Sequence, residues 1–385
     1  MARIAAFAFD ISEAAQIRRI HSLQALGHDV ASLSFRRENM NAGFQPDWPD
    51  VPLGVTRNES FLRRFVQLGL GLVRAWRGRE GLEGSDVWIA RNFDLLVIAA
   101  ILRRLMGRRD VQLVYECLDI HGLFTRADMV GRAMRWAERR ALAGTDLLIV
   151  SSPGFLTQYF EPIQGYRGAS TLIENKLWLG TQPISRPKQR GAPSEPLVLG
   201  WVGSLRCAVS LEILAGVARS LGDAVQISLN GNVHRHAVPE FDRILSDHPN
   251  IHYAGPYQYP DDLAAIYGAC DLVWAQDLWQ QGANSDWLLP NRIYEASYFG
   301  CPSIAVSGSQ TGLKVREDGL GFVVDAPDAP SLIALLKRLT RDEIGAAGQR
   351  LLDRPEGDFR LTQEALAKAL EPVLGGGVHD AQRAA

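Results

Sequence analysis

The feature that most constrains this chain is a rhythm that runs twice. Short apolar stretches alternate with amphipathic stretches of helical period, first at one end of the chain and then, after an interruption, at the other. In the first run, strands are expected at 4–9, 29–35, 86–91, 111–117, 147–151 and 171–174, with helices at 14–26, 94–106 and 126–143. Gly27 supplies a helix stop after the first of these helices. In the second run, strands are expected at 197–202, 225–229, 251–253, 272–275, 303–307 and 322–324. Helices there fall at 209–221, 260–269 and 329–339, and a last one at 364–374. Strand–helix alternation of this kind predicts parallel sheets covered by helices on both faces. A chain of 385 residues exceeds what one hydrophobic core usually organises, so two domains are expected.

Composition agrees and marks the boundary. Hydrophobic residues make up 46% and charged residues 22%, the balance of a globular protein. The stretch 182–196 holds Pro183, Pro187, Pro193, Pro196 and Gly191 with no apolar period, which is linker composition. The expected layout is a first doubly wound domain at 1–180, a linker at 181–196 and a second at 197–355. A helical segment at 356–374 and a tail at 375–385, glycine-rich and expected to lack order, complete it. No 18-residue uncharged apolar run occurs, so no spanning helix is expected. Residues 1–10 are too short, and too acidic at their end, for a secretion signal. Cys117, Cys207, Cys270 and Cys301 stand 90, 63 and 31 residues apart. That spacing matches neither a zinc site nor a disulfide framework, so a reducing, cytoplasmic setting is expected.

The net charge is only −2, but residues 1–175 carry a net +3 and the remainder a net −5. The basic excess concentrates at 61–79 and 101–109, where arginines interleave with apolar residues at helical spacing. Two readings stand: ordinary packing helices with solvated arginines, or amphipathic helices on an anionic bilayer surface. With a slightly acidic chain and no recognised motif, nucleic acid is not an expected partner.

The stretch 289–305 carries the densest local signal. Pro290 suits the first turn of a helix, Gly300 its end, and Pro302 prevents the helix from resuming. Arg292 stands in that first turn, where the helix dipole favours acids, and a helix N-terminus with a nearby cation is a ready anion site. Upstream, Gly203, Ser204 and Arg206 follow an expected strand: glycine admits a ligand to the backbone, and arginine grips phosphate bidentately. Gly231 and the turn at Tyr257 follow strands on the same side. In the first run, Asp119 and His121 follow the strand at 111–117; a histidine there reads either as a structural residue or as a proton donor, with Asp119 as a general base. Between the first strand and helix, Glu13, Arg18 and Arg19 face either an acceptor or solvent. No G-x-G-x-x-G sequence is present, which argues against a dinucleotide-dependent dehydrogenase.

The order Pro290-Asn291-Arg292, Glu295, Gly300, Pro302 resembles the nucleotide-sugar signature of GT-B glycosyltransferases, especially the family 4-like enzymes that build bacterial polysaccharides. The resemblance covers the whole chain and implies two Rossmann-like domains facing across a cleft. It implies that Glu295 holds the donor ribose, that Arg206, Arg292 and the backbone at the helix start by Asn291 face the diphosphate, and that Gly203, Ser204 and Gly231 belong to the same donor-binding face. Tyr257 would lie near the base, and His121 and Asp119 near the reacting centre. The family's usual lysine after Arg206 is absent, with Cys207-Ala208-Val209-Ser210 in its place, and Arg292 is the expected substitute. Where many members carry a glutamate eight residues before the ribose-binding one, this chain has Trp287 with Asp286 beside it. The amide- and tryptophan-rich stretch 276–287 and the stretch 9–19 look like exopolysaccharide enzymes of the succinoglycan type. The implied activity is metal-independent transfer of a hexose from a nucleoside diphosphate sugar, UDP-linked, to a lipid-linked saccharide, with no cofactor. The implied location is peripheral, at the inner face of the cytoplasmic membrane. Two alternatives are a UDP-sugar epimerase or hydrolase of the same fold and a non-catalytic nucleotide-sugar-binding subunit.

Overall fold

The computed structural model describes residues 1–37, 43–56, 61–178, 180 and 184–375. The chain divides into two compact units, Met1–Ile173 together with the C-terminal helix, and Glu174–Leu361. Of the expected tail at 375–385, residues 376–385 lie outside the described residues.

Among the described residues the first unit holds seven strands: β1 (Arg3–Ala8), β2 (Asp29–Arg37), β3 (Asp50–Thr56), β4 (Val87–Arg91), β5 (Gln112–Cys117), β6 (Leu147–Val150) and β7 (Ser170–Leu172). They form one sheet in the order β3-β2-β1-β4-β5-β6-β7, and every pair is parallel. Central strands are buried on both faces, which is why they read as unbroken apolar runs rather than as alternation. The edge strand β3 was not expected. Pro52 and Gly54 lower its strand propensity, and it forms because it can pair along one side with β2.

The helices are α1 (Ala14–Ala25), α2 (Phe61–Arg77), α3 (Phe93–Leu105), α4 (Gly122–Thr125), α5 (Met129–Leu142) and α6 (Pro153–Phe155). The chain steps from β1 to β2 in one direction and from β4 through β6 in the other. Right-handed crossovers therefore put α1 on one face of the sheet and α3 and α5 on the opposite one. The helix expected at 126–143 begins at Met129, because Asp128 turns its side chain to cap the Gly131 N–H at 3.0 Å.

The second unit repeats the plan with β8 (Leu197–Val202), β9 (Val225–Asn230), β10 (Ile251–Gly255), β11 (Leu272–Trp274), β12 (Ser303–Val306) and β13 (Gly321–Val324). The order is β10-β9-β8-β11-β12-β13, again parallel. Its helices are α7 (Ala208–Leu221), α8 (Phe241–Asp247), α9 (Leu263–Gly268), α10 (Asn284–Trp287), α11 (Asn291–Tyr298), α12 (Gln310–Glu317), α13 (Ala329–Arg338) and α14 (Arg341–Leu352). Trp201 and Trp274, on adjacent strands, are fully buried in its core. The last helix, α15 (Gln363–Leu374), packs on α1 and β7 of the first unit.

Much of the proline-rich stretch 181–196 is fastened to the second unit. Arg186 donates from Nε to the Tyr298 carbonyl at 2.9 Å, from Nη1 to Arg354 at 2.7 Å and from Nη2 to Leu351 at 2.6 Å. Those carbonyls lie at the C-terminal ends of α11 and α14, where backbone acceptors lack helical partners. Asp271 accepts from Ser194 N–H at 3.0 Å and Val198 N–H at 2.8 Å.

A buried carboxyl sits inside the first unit. Glu138 of α5 accepts from Tyr115 Oη at 3.1 Å and also from Tyr159 Oη and Gln164 Nε2. Burial, only partly offset by these hydrogen bonds, pushes its pKa up to about 7. The folded protein therefore holds a proton there that the unfolded chain releases near pH 4.5. Raising the pH through that window removes stability, to a limit of about 3 kcal/mol. Denaturant titrations between pH 5 and 8 should show wild type losing stability relative to Glu138→Gln, which keeps an uncharged group there.

Candidate active site

In the second sheet the chain runs from β8 outward through β10, then restarts beside β8 with β11 and runs outward the other way. The reversal leaves a crevice beyond the C-terminal ends of β8 and β11, where open parallel sheets bind ligands. β8 is followed by Gly203, with φ of 114°, and β9 by Gly231, with φ of 136°. Gly203 N–H donates to the Asn230 carbonyl at 2.9 Å, and Gly231 N–H donates to the Gly255 carbonyl at 2.8 Å. A Cβ at Gly231 would stand 1.8 Å from the Gly203 oxygen, so the two turns touch backbone to backbone.

Two arginines converge on this crevice. Arg206, just before α7, lies with its guanidinium 5.9 Å from the Trp279 ring centroid. Arg292, in the first turn of α11, points Nη1 at the Trp274 carbonyl at 3.5 Å, a long contact. Its Nη2 lies 3.8 Å from where a Gly203 Cβ would be. Among the described residues neither guanidinium has a carboxylate partner. Two such cations beside the N-termini of α7 and α11 make a strongly electropositive spot. Ser204 and Asn291 are half-buried beside them. Pro290 is the N-cap of α11, one position earlier than the sequence suggested.

One turn further along α11, Glu295 is 5% exposed, and the Tyr267 hydroxyl donates to its Oε2 at 2.9 Å. Burial, then the Glu295 charge, pushes the Tyr267 hydroxyl well above its ordinary range, so it stays a donor. Tyr257 is partly buried against the same core cluster. Trp287 is half-buried in the single turn of α10, and neighbouring Asp286 accepts the Gly282 N–H at 2.9 Å. Sequence reasoning missed Tyr267, since an aromatic in an apolar helix carries no signal of what its hydroxyl meets.

The first sheet has its own reversal, between β1 and β4. Glu116, at the end of β5, is fully buried between two arginines. Arg19 of α1 donates to its Oε1 from Nε at 2.9 Å and Nη2 at 2.6 Å, and Arg91 at the end of β4 donates to Oε2 at 3.3 Å. Burial alone would raise the Glu116 pKa; the two cations outweigh it and hold the carboxyl down at about 2. The Arg19 side chain is thus tied inside the fold rather than solvated, while Arg18 and Glu13 are half-buried on the surface of the same helix start. Glu116 and Arg91 were not among the expected residues, although a charge ending an apolar strand run is a visible sign of a polar rim.

Asp119 and His121 come together in the loop after β5, both exposed. His121 caps α4, its Nδ1 accepting the Leu123 N–H at 3.2 Å, which in the neutral ring leaves the proton on Nε2. Elsewhere, an open cavity of about 680 Å³ lined by Arg219, Asp223, Asp247, His248 and His252 lies at the opposite, N-terminal edge of the second sheet. It has no part in either crevice.

Residues 18–175 match the model of the glycosyl transferase 4-like domain. The full chain is 34% identical over 378 residues to the succinoglycan biosynthesis protein ExoL of Rhizobium meliloti, covering 96% of this chain and 93% of that protein. The chain belongs to the glycosyl transferase 4-like family. It is a glycosyltransferase, and its two parallel α/β units form the GT-B fold of that class. The sucrose-phosphate synthase of Thermosynechococcus elongatus superposes with a TM-score of 0.72 at 15% identity, over 96% of this chain and 97% of that one. Anabaena HepE, solved with UDP and glucose, gives a TM-score of 0.68 at 16% identity, over 96% and 100%. A trehalose-6-phosphate protein of E. coli, bound with UDP-2-fluoro glucose, gives 0.66 at 11%, over 96% and 99%.

The contact between the two glycine turns is open to test in this transferase. A Gly231→Ala variant must move either turn or accept strain at a φ of 136°, at a cost of roughly 1–3 kcal/mol. Thermal denaturation should show a clear loss of midpoint.

Proposed function

We propose that the enzyme transfers a hexose from UDP-hexose to a lipid-linked saccharide during exopolysaccharide assembly. The observation that carries the reading is the pair Arg206 and Arg292, without carboxylate partners among the described residues, beside bare glycine turns and two helix N-termini. That arrangement suits a diphosphate, with Ser204, Asn291 and the Gly203 and Gly231 backbone as further contacts. Glu295, held by Tyr267, accepts the two ribose hydroxyls, and Tyr257 lies against the base. The similarity to ExoL, whose name places it in succinoglycan biosynthesis, and to structures bound with UDP supports this donor.

In the reaction the anomeric C–O bond to the diphosphate breaks, a new bond forms to an acceptor hydroxyl, and that hydroxyl gives up its proton. Arg206 and Arg292 neutralise the charge growing on the departing UDP, in the role that a bound metal plays in other transferases. Asp119 is the group for the acceptor proton, and His121, with Nε2–H, donates to the sugar or the leaving phosphate. Glu13 and Arg18 remain on the acceptor side, while Arg19 acts through the buried Glu116 pair.

No helix among the described residues is long and apolar enough to cross a membrane. Instead, peripheral attachment at the inner face of the cytoplasmic membrane fits the outer surface of α2, α3 and α5, which pack side by side. Val66, Leu70, Val73 and Trp76 form an exposed stripe on α2, continued by Ile101 and Leu105 on α3 and by Met129, Val130 and Trp136 on α5. No acid faces outward from these helices: α2 contains none, and Asp94 and Glu138 are buried. Arg77, Arg104, Arg132 and Arg140 are exposed among the apolar residues. Arg103 is not part of this set, since it is spent on the Gly144 carbonyl at 2.9 Å and Asp146 at 3.1 Å. The side chains of Arg63 and Arg64 lie outside the described ones.

Calorimetry tests the donor site: Glu295→Ala should bind UDP roughly 1.5–3 kcal/mol more weakly, as expected for losing a charged hydrogen-bond partner. Unchanged affinity would overturn the ribose assignment. Flotation with vesicles tests the surface, each arginine near an anionic bilayer contributing about 1 kcal/mol. Attachment should need anionic lipid, fall with salt, and weaken when Arg77, Arg104, Arg132 and Arg140 become glutamine.

A further inference from the structure

The loop between β11 and α10 leaves Trp279 42% exposed beside the crevice. A large aromatic surface left in water asks for a use. The loop that presents it is rigid. Asp277 Oδ1 accepts the Trp279 N–H at 3.0 Å and is itself held by the fully buried Ser285 hydroxyl. The same hydroxyl accepts the Gln280 N–H at 2.7 Å, and the Ser285 N–H returns to the Gln280 carbonyl at 3.1 Å. Leu278, 5% exposed, anchors the turn in the core. The backbone that carries the indole is therefore held, and what lies over its ring is the Arg206 guanidinium, 5.9 Å from the centroid.

We propose that Trp279 is the positioning residue for Arg206. A guanidinium lying on an aromatic face keeps its N–H edges directed outward, in the plane needed for bidentate contact with a phosphate. The need for such a support is written in the neighbouring sequence. The Cys207-Ala208-Val209-Ser210 stretch after Arg206 contains no second cation, and among the described residues no carboxylate orients the guanidinium. An arginine acting alone on a loop loses more rotamer freedom on binding unless something holds it beforehand. A rigid indole provides that restraint without neutralising the charge, which an aspartate or glutamate partner would do. The proposal deepens the donor reading above and rests on its assignment of Arg206 to the diphosphate.

The test measures UDP and uridine binding by calorimetry for Arg206→Ala, Trp279→Ala, Trp279→Phe and the Arg206→Ala/Trp279→Ala double variant. Trp279→Ala should weaken UDP about three- to tenfold, in line with the strength of a partly exposed cation–π contact, and leave uridine binding unchanged. Trp279→Phe, which keeps an aromatic face, should restore most of the affinity. In the double variant the loss should equal that of Arg206→Ala alone, because without the guanidinium the indole has nothing to position. If Arg206→Ala weakens UDP while Trp279→Ala does not, the positioning role is overturned and the donor reading stands. Additive losses also overturn it, as does a Trp279→Ala defect confined to UDP-sugar and absent for UDP, which would make the indole a sugar contact. If Arg206→Ala itself binds UDP like wild type, the diphosphate assignment falls and takes this proposal with it.

Discussion

Parallel pairing is the constraint from which the rest of the molecule follows. Within each sheet the strands run the same way, so each connection must cross a face of the sheet, and right-handedness decides which face. Reversing the direction of strand addition then splits the covering helices between faces and opens one crevice per sheet. The residues at those crevices need not be near in sequence. Gly203, Gly231, Trp274 and Arg292 meet because β8, β9 and β11 are neighbours and all end on the same side. The outer surface of α2, α3 and α5 has the same origin, since these helices lie on one face because of where the strand order turns.

The two crevices treat arginine in opposite ways. In the first unit, Arg19 and Arg91 are committed to Glu116, a carboxylate held far below its ordinary pKa by both. A buried triad of this kind carries a desolvation cost that its own pairing has to offset, and removing one member would leave a charge stranded. In the second unit, Arg206 and Arg292 have no such commitment among the described residues and lie in a half-buried position at the crevice. An arginine ready for an anion differs from an arginine holding a fold together in what else it touches, and only three-dimensional packing sets that difference.

The motif 289–305 was legible because it is local: a helix start, a basic residue in its first turn, an acid one turn on and a glycine stop all fall within a few residues. Helix α14 was equally local, with Thr340 and Glu343 forming a capping box, yet it was not read from the sequence. Its apolar face, Ile344, Ala347, Leu351 and Leu352, is spread among charged and small residues, which blurs the period. For the proline-rich stretch before β8, composition spoke only of the backbone. Prolines prevent it from forming helix or strand, but they say nothing about whether arginines within it will find carbonyls to bind. Arg186 and Asp271 fasten it to the helices and strand of the second unit.

What the sequence by itself determined is therefore much of what neighbours along the chain set: which strongly periodic stretches are strand or helix, that the two runs build parallel sheets, and where the helix and turn of 289–305 begin and end. Backbone propensity, apolar period and capping act within a turn or two, so they leave their trace in consecutive letters. The tertiary structure alone decided which polar groups pair across the fold. Arg19 looked like a surface residue until β5 brought Glu116 to it across 97 positions of chain. Tyr267 gained a role when α9 set its hydroxyl against Glu295, and Trp279 when its loop was folded back beneath Arg206. Such contacts depend on distances of a few ångströms between residues far apart in order, and no period or spacing in the chain records them.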